Sequence, residues 1–156
     1  MTVYDGLVYV TAGDGQAWAV STADGRVKWT IAGPETVTSR VGAAAPAVTD
    51  RLVVFPFASG DLYATFRKGG IRLWSASLAG QRKGVVYANV SDITSDPVLV
   101  GNRMYVGNQA GRYAAFDLES GARIWTADQG AYSPAAVVGG SVFIVTDRNE
   151  LVVAAV

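Results

Sequence analysis

The sequence predicts an all-β protein built from repeated four-stranded antiparallel units, and three observations support this prediction. Short apolar runs alternate with turns rich in Gly, Asn and Asp, which supply the backbone conformations of tight hairpins. No segment keeps an apolar period of about 3.6 residues, and 18 glycines in 156 residues interrupt every candidate helix. The motif Gly-x-x-x-Trp returns three times, at Gly25 to Trp29, Gly70 to Trp74 and Gly121 to Trp125.

The segment from Asp96 to Trp125 is the clearest copy of the unit. Its four apolar runs predict four strands, and three short turns containing Gly or Asn connect them. The runs are residues 98–100, 104–106, 113–116 and 124–125. A single meander of this size cannot bury both of its faces, so the units are predicted to stack on one another.

Stacked four-stranded units with a period of about 40 residues and a closing Trp are typical of β-propeller blades. We therefore expect residues 1–156 to form a single partial β-propeller of about three to four blades, an arc of a longer protein. The first blade is expected to lack its inner strand or to keep only Val3 and Tyr4, and the last to lack its closing strand. The alternative, a β-sandwich, would not require the Gly-x-x-x-Trp motif to recur at the same place in each unit. The predicted blades cover approximately residues 3–30, 45–75, 93–126 and 134–156.

The composition narrows the classes of function. Half of the residues are apolar and 17% are charged, which indicates a packed globular segment. Lys plus Arg and Asp plus Glu number 13 each, so no basic excess is available to hold nucleic acid. The chain has no Cys and no His, which excludes thiol nucleophiles, Ser-His-Asp triads and Cys-based zinc sites. An enzyme would have to use carboxylates, Lys or Tyr, and we expect no enzyme activity, no metal and no cofactor.

Two long connections separate the predicted blades. The closing tryptophans, Trp29, Trp74 and Trp125, are 45 and 51 residues apart, and the surplus over a bare blade lies in residues 31–45 and 76–95. Connections of this length are long enough to be functional loops. We expect the three tryptophans themselves to dock neighbouring blades. No apolar run reaches the ~18 residues of a membrane helix, and we expect no signal peptide or lipidation site in this segment.

The blade pattern resembles the PQQ-like propeller repeat, which is found in quinoprotein dehydrogenases and in the BamB family. It has the form Tyr-Val-x-x-x-x-Gly-x-x-x-Ala-x-x-x-x-x-Gly-x-x-x-Trp. Three further segments narrow the resemblance to the BamB family, the propeller lipoproteins of the outer-membrane β-barrel assembly (BAM) machinery. They are residues 36–46, 91–97 and 139–152. The resemblance runs from about Gly6 to Val152 and fades over the last four residues.

The resemblance implies a docking face for the periplasmic domains of BamA. In the BamB family an Arg and an Asp from two loops lie on that face, and the matching residues here are Arg40 and Asp92. Val37 and Ser39 flank the Arg in place of leucines, and Thr94 stands where the family has a second Asp. An Arg guanidinium suits backbone carbonyls and carboxylates of a partner, because it presents a planar fork of donors. The alternative is that Arg40 and Asp92 pair with each other as a link between adjacent blades.

The same resemblance implies a function and a location. The function is that of a scaffold in the BAM complex, which docks BamA and assists the folding and insertion of outer-membrane proteins. Exposed strand edges imply a second partner, the strands of unfolded outer-membrane proteins. The location is the periplasmic face of the outer membrane, with attachment through an N-terminal lipid anchor that this chain does not contain. Two alternatives remain: a fragment of a PQQ-dependent dehydrogenase, for which no comparable cluster of acids is visible, and a generic β-propeller interaction module.

Overall fold

The computed structural model describes residues 1–35, 44–78 and 92–156. These residues form strands and turns with no helix, and so contain no helix that could cross a membrane. The all-β class predicted from the sequence is confirmed. The strands are β1 (Thr2–Tyr4), β2 (Leu7–Thr11), β3 (Gln16–Ser21), β4 (Val27–Ala32), β5 (Ala47–Val48), β6 (Leu52–Pro56), β7 (Asp61–Phe66), β8 (Arg72–Ser77), β9 (Val98–Val100), β10 (Arg103–Asn108), β11 (Arg112–Asp117), β12 (Arg123–Ala127), β13 (Ala136–Val138), β14 (Ser141–Val145) and β15 (Leu151–Ala155).

The strands make four antiparallel sheets, and each sheet follows the order of the chain. We call them blade 1 (β1 to β4), blade 2 (β5 to β8), blade 3 (β9 to β12) and blade 4 (β13 to β15). Each sheet is a meander in which neighbouring strands are joined by short turns, and successive sheets share buried apolar clusters. Stacked meanders of this kind are the blades of a propeller, so the predicted partial β-propeller is confirmed.

The structure corrects one detail of the expected blades. Strand β1 pairs with β2 along its whole length, with Val3 opposite Val8. It has three residues, the same number as the inner strands of blades 3 and 4. Blade 1 is therefore complete in strand number, although the sequence predicted an incomplete first blade. Blade 4 has three strands in the part of the chain that the structure describes, in agreement with the expectation for the last blade.

The Gly-x-x-x-Trp motif forms the turn and the start of the outer strand in blades 1 to 3. Its glycines have nearly the same left-handed backbone angle, with φ values of 68°, 70° and 71° at Gly25, Gly70 and Gly121. Glycine adopts this conformation without steric cost. In each blade the ladder between the third and fourth strands then shifts by one residue, just before the Trp pairs with an Ala of the third strand. A β-bulge of this kind turns the strand locally and directs the Trp side chain.

Three apolar clusters lie between consecutive blades and form the core. Buried members of the cluster between blades 1 and 2 are Tyr9, Ala17, Ala19, Val53, Phe55 and Phe57. Those between blades 2 and 3 include Leu52, Val54, Leu62, Trp74, Met104, Val106 and Phe116. Those between blades 3 and 4 include Tyr105, Tyr113, Ala115, Val142 and Ile144. Blades 2 and 3 thus bury their two faces against different neighbours, and alternate residues of β6 and of β10 belong to different clusters.

A Trp of one blade joins it to a turn of the next blade. The Trp29 indole donates to the carbonyl of Arg67 at 3.2 Å, and the Trp74 indole donates to the carbonyl of Leu118 at 2.8 Å. Both rings also lie directly against the motif glycine of the next blade. A Cβ atom at Gly70 would lie 2.5 Å from Trp29, and one at Gly121 would lie 2.6 Å from Trp74. Glycine is therefore required at this position for two reasons: the residue has a positive φ, and the indole ring leaves no room for a side chain.

Trp125 has the same position in blade 3 but a different environment. Its ring packs against Tyr105 and Tyr113, with centroid distances of 6.1 and 6.4 Å. Its buried Nε1 atom has no hydrogen-bond acceptor among the residues that the structure describes. Trp125 thus makes aromatic packing contacts, but among the described residues it lacks the indole hydrogen bond that Trp29 and Trp74 make.

We predict that Gly121→Ala destabilises the protein more than Gly25→Ala. Both substitutions place a Cβ on a left-handed residue, which costs about 1–2 kcal/mol. Only the Cβ at Gly121 collides with an indole ring, whereas nothing lies within 4 Å of the position at Gly25. The collision adds about 1–3 kcal/mol. Urea unfolding followed by circular dichroism measures the difference, and equal losses for the two variants would contradict this account of the joint.

We also predict that Trp74→Phe costs more than Trp125→Phe. Both changes shorten the aromatic ring, but only the first leaves a carbonyl, that of Leu118, without its indole donor. Loss of this bond is expected to add about 1–2 kcal/mol to the destabilisation. The free energies of unfolding of the two variants in urea provide the comparison. A loss for Trp125→Phe as large as that for Trp74→Phe would show that the hydrogen bond contributes little.

Candidate functional site

The described ends of the connections between blades lie along one edge of the sheets. The outer strand of blade 1 ends beside the turn between β2 and β3, where the Gly33 amide donates to the carbonyl of Gly15 at 2.7 Å. In blade 2 the Leu78 amide donates to the carbonyl of Gly60 at 2.8 Å in the same way. We call this edge the connection rim. Its described residues are 33–35, 44–46, 78, 92–97 and 128–135, together with the turns at 12–15, 57–60, 109–111 and 146–150.

The predicted docking residues fall into two groups in the structure. Arg40, Val37 and Ser39 lie outside the described residues. Asp92 and Thr94 lie on the connection rim at the entry to blade 3. Asp92 is buried, with 6% of its surface exposed. Thr94 is half-buried, and its hydroxyl donates to the carbonyl of Ala131 at 2.8 Å. Neither side chain is presented freely to solvent.

The described ends of the two predicted loops meet on the rim. Ala44 and Ala45 follow the segment that contains Arg40, and Asp96 belongs to the segment that contains Asp92. The Ala45 amide donates to the Asp96 carboxylate at 2.6 Å. Ala44 and Ile93 belong to the same buried cluster between blades 2 and 3. The structure therefore brings the end of the first loop and the start of blade 3 together, although 51 residues separate Ala45 from Asp96.

Sequence reasoning missed two buried polar residues that hold the entry to blade 3. The Ser95 hydroxyl accepts a hydrogen bond from the Gly107 amide at 2.7 Å. The Asn108 side chain accepts from the Arg112 amide at 2.9 Å and donates to the carbonyl of Leu78 at 3.4 Å. Both residues are fully buried. Asn108 thus links the end of blade 2 to blade 3, and the only sequence signal was its place in an Asn-Gln-Ala-Gly turn.

A second set of contacts ties blade 4 to the same rim. The Gly130 amide donates to the Asp147 carboxylate at 3.2 Å, and the Asp147 amide donates to the carbonyl of Gly130 at 2.9 Å. The Ala131 amide donates to the carbonyl of Asn108 at 3.0 Å. A Cβ at Gly130 would lie 2.9 Å from a backbone oxygen, so glycine is needed for this close approach. The rim around blades 3 and 4 is consequently a continuous network of backbone and polar side-chain contacts.

Two ionisable groups near this network have well-defined environments. Arg112 pairs with the exposed Asp128 at the end of blade 3. Burial raises the pKa of Tyr113 well above its usual value, so its hydroxyl stays protonated over the physiological range. Within residues 1–35, 44–78 and 92–156, no group of three or more Asp, Glu, His or Cys side chains is placed to hold a metal ion. The rim carries carbonyls, amides, hydroxyls and charged side chains, which can form hydrogen bonds and ion pairs with a protein partner.

Comparison with known proteins was made on the whole chain. A family described as outer membrane protein assembly factor BamB matches residues 1–155. The BamB protein of Moranella endobia is 28% identical over 153 residues, which are 97% of this chain and 39% of that protein. The chain thus spans about two fifths of that relative's length.

Solved structures show the same fold. The crystal structure of BamB from Moraxella catarrhalis has a TM-score of 0.83 at 20% identity, over 97% of this chain and 46% of that one. A quinohemoprotein alcohol dehydrogenase from Pseudomonas putida HK5 has a TM-score of 0.73 at 20% identity, over 92% of this chain and 27% of that one. At these identities the likeness concerns the fold alone. Because the family match extends over nearly every residue, this chain belongs to the outer membrane protein assembly factor BamB family of PQQ-like β-propellers.

Proposed function

We propose that the chain is part of a non-catalytic scaffold for the assembly of outer-membrane proteins, at the periplasmic face of the outer membrane. The observation that carries the proposal is the family match over residues 1–155. The surface best suited to the task is the connection rim. Loops on a rigid β scaffold are the usual place for binding residues, because the sheets fix where the loops begin and end. The buried network at Ser95 and Asn108 supplies that rigidity.

We further propose that the rim docks the periplasmic domains of BamA through Arg40. This residue matches the Arg of the family's docking loop, and its guanidinium forms bidentate hydrogen bonds with carboxylates. Val37 and Ser39 would flank the contact. The bond between Ala45 and Asp96 supports a joint role for the two loops, since it ties the end of the Arg40 loop to the entry of blade 3.

Asp92 and Thr94 have a positioning role in this proposal. Asp92 is buried, and the Thr94 hydroxyl is already bonded to the carbonyl of Ala131. The Thr94 amide also donates to the carbonyl of Gly107 at 3.3 Å. Side chains held in this way fix the shape of a loop, whereas a direct contact with a partner needs exposed polar groups. We therefore assign the direct contact to the Arg40 loop.

The unfolded strands of outer-membrane proteins are the proposed clients. In the described part of the chain, the outer strands β4, β8 and β12 each pair with a single strand. Their outer edges present backbone N–H and C=O groups that an extended segment can pair with. Val27 and Ile124, near the starts of β4 and β12, are 46% and 45% exposed and offer apolar contact.

We predict that Arg40→Glu weakens binding to the BamA periplasmic domains by about tenfold or more, which corresponds to ~1.4 kcal/mol. Surface plasmon resonance with the immobilised domains measures the loss. Arg26→Glu is the matched control, because it makes the same charge change on an exposed side chain in a turn at the opposite edge of blade 1. Equal affinities for Arg40→Glu, Arg26→Glu and the unchanged chain would eliminate the proposed contact.

A double-mutant cycle separates docking from the alternative pairing of Arg40 with Asp92. If Arg40 contacts BamA, Arg40→Ala lowers the affinity with little change in stability. Asp92→Ala, which empties a buried position, lowers the free energy of unfolding by about 1–3 kcal/mol. The two stability effects are then expected to add within about 0.5 kcal/mol. A larger coupling in urea unfolding would instead assign the pair to a structural link between blades.

A further inference from the structure

The outer strand of blade 1 turns one row of backbone groups away from its sheet. The Gly33 amide donates to the carbonyl of Gly15, and β4 pairs with β3 in register with this bond. In an antiparallel ladder every second residue bonds to the neighbouring strand, and the residues between direct their N–H and C=O groups to the other side. Thr30 and Ala32 are such residues, because they lie at odd separations from Gly33. Their backbone groups therefore form the outer edge of β4.

The outer strand of blade 2 has the same arrangement. The Leu78 amide donates to a carbonyl of the turn between β6 and β7. Ser75 and Ser77 therefore direct their N–H and C=O groups to the outer edge of β8. By the shared register, these two residues are equivalent to Thr30 and Ala32 of blade 1.

An arginine of blade 3 occupies the outer edge of β8. The Arg123 guanidinium donates to the carbonyl of Ser77, 46 residues earlier, and so crosses from β12 to the preceding blade. The Cζ atom of Arg123 also lies 5.6 Å from the centroid of the Phe116 ring in its own blade. A guanidinium on an outward carbonyl takes the acceptor that an added strand needs, and it brings a charge to the edge. The edge of β8 is thus closed at its end.

The equivalent arginine of blade 2 does not close the edge of β4. Arg72 has the position of Arg123, since each is the second residue after its motif glycine. Its Cζ atom lies 4.9 Å from the centroid of the Tyr63 ring in its own blade. Within the described residues, no hydrogen bond joins Arg72 to a carbonyl of β4. Blade 3 has Ala114 at the position of Tyr63, so the ring that holds Arg72 has no counterpart there.

The side chains beside the β4 edge indicate the kind of segment that fits. On one face, Trp29 and Ile31 are half-buried and pack on the apolar cluster between blades 1 and 2. On the other face Thr30 is exposed, as are the equivalent residues Ser75 and Thr126 of blades 2 and 3. An added strand places its alternate side chains beside these two faces. The matching segment is extended and alternates apolar with polar residues, which is the pattern of a strand from an outer-membrane β-barrel.

We propose that β4 accepts an added strand of an unfolded outer-membrane protein, and that Arg123 keeps the same strand off β8. The inference rests on the proposed function, from which it takes the client. The backbone groups of Thr30 and Ala32 pair with the client backbone, and the apolar side chains of the client lie beside Trp29 and Ile31. Arg123 determines which edge is used without touching the bound strand.

A synthetic peptide tests the choice of edge. The probe has about ten residues, alternating Val and Thr with a Lys at each end, and carries a fluorophore whose anisotropy reports binding to the chain. Thr30→Pro is expected to weaken binding by about tenfold or more, because proline removes an outward N–H and leaves the bonds to β3 intact. Ser75→Pro is the matched control at the equivalent position of β8, and it keeps the affinity of the unchanged chain.

Removal of the arginine tests its role. Arg123→Ala uncovers the carbonyl of Ser77, and this variant is expected to bind two peptides instead of one. Amide hydrogen exchange followed by NMR locates them. In the unchanged chain the peptide is expected to slow exchange at Thr30 and Ala32 alone, and in Arg123→Ala at Ser75 and Ser77 as well.

Two controls keep the test decisive. Arg72→Ala removes an arginine from the equivalent position without uncovering a carbonyl, and it is expected to bind one peptide. A peptide that is N-methylated at every second residue lacks the pairing N–H groups and is expected not to bind, which tests strand addition without altering the protein. Circular dichroism checks that each variant is folded.

The outcomes separate this inference from the proposed function. Slower exchange at Ser75 in the unchanged chain, or a single bound peptide in Arg123→Ala, would overturn the role of Arg123 and leave client binding in place. Binding that Thr30→Pro does not weaken would overturn the choice of β4. Absence of binding to every variant would remove the client function together with this inference, whereas docking through Arg40 is measured separately.

Discussion

The contact of a Trp indole with a glycine turn holds one blade to the next, and the rest of the architecture depends on it. The ring approaches so closely that no side chain fits on the turn, and its N–H bonds to a carbonyl three residues before the glycine. Dispersion, shape and a directional hydrogen bond act at one point. An apolar interface alone tolerates sliding, whereas this contact fixes the lateral positions of blades 2 and 3 relative to the blade before each. The repeated apolar faces can then interlock in one register.

Fixing the blades in this way also determines where the proposed binding surface lies. Each outer strand ends at the same edge of its sheet, so the described ends of the connections lie on one rim. The end of the connection before blade 2 and the end of the connection before blade 3 are neighbours, as the bond between Ala45 and Asp96 shows. The buried side chains of Ser95 and Asn108 fix the described end of the connection before blade 3, because they bond to backbone groups of β10 and of Leu78, which follows β8.

Much of this fold could be predicted from the sequence because the signals that define a blade lie close together in the sequence. Turn glycines, alternating apolar residues and the closing Trp are read within one blade. The inner strand of blade 1 was underestimated, since three residues carry little periodic signal and form a strand only through pairing with β2. The site was harder to predict. Asp92 is buried, and Asn108 donates to the carbonyl of Leu78, 30 residues earlier; no local sequence pattern indicates either feature. The proposed docking residues come from the family resemblance, because no local pattern indicates them.

Strand β6 has a consequence of its own. All five of its residues are buried, and they alternate between the clusters on its two sides, with Val53 and Phe55 on one and Leu52 and Val54 on the other. The strand has no solvent-exposed face, so neighbouring residues in the sequence pack in different interfaces between blades. A change in side-chain volume at one position cannot be compensated by a change at the adjacent position, because the adjacent side chain packs in the other interface. Evolution of such a strand is constrained pairwise across blades, and compensating changes are to be sought in the facing blade rather than nearby in the sequence.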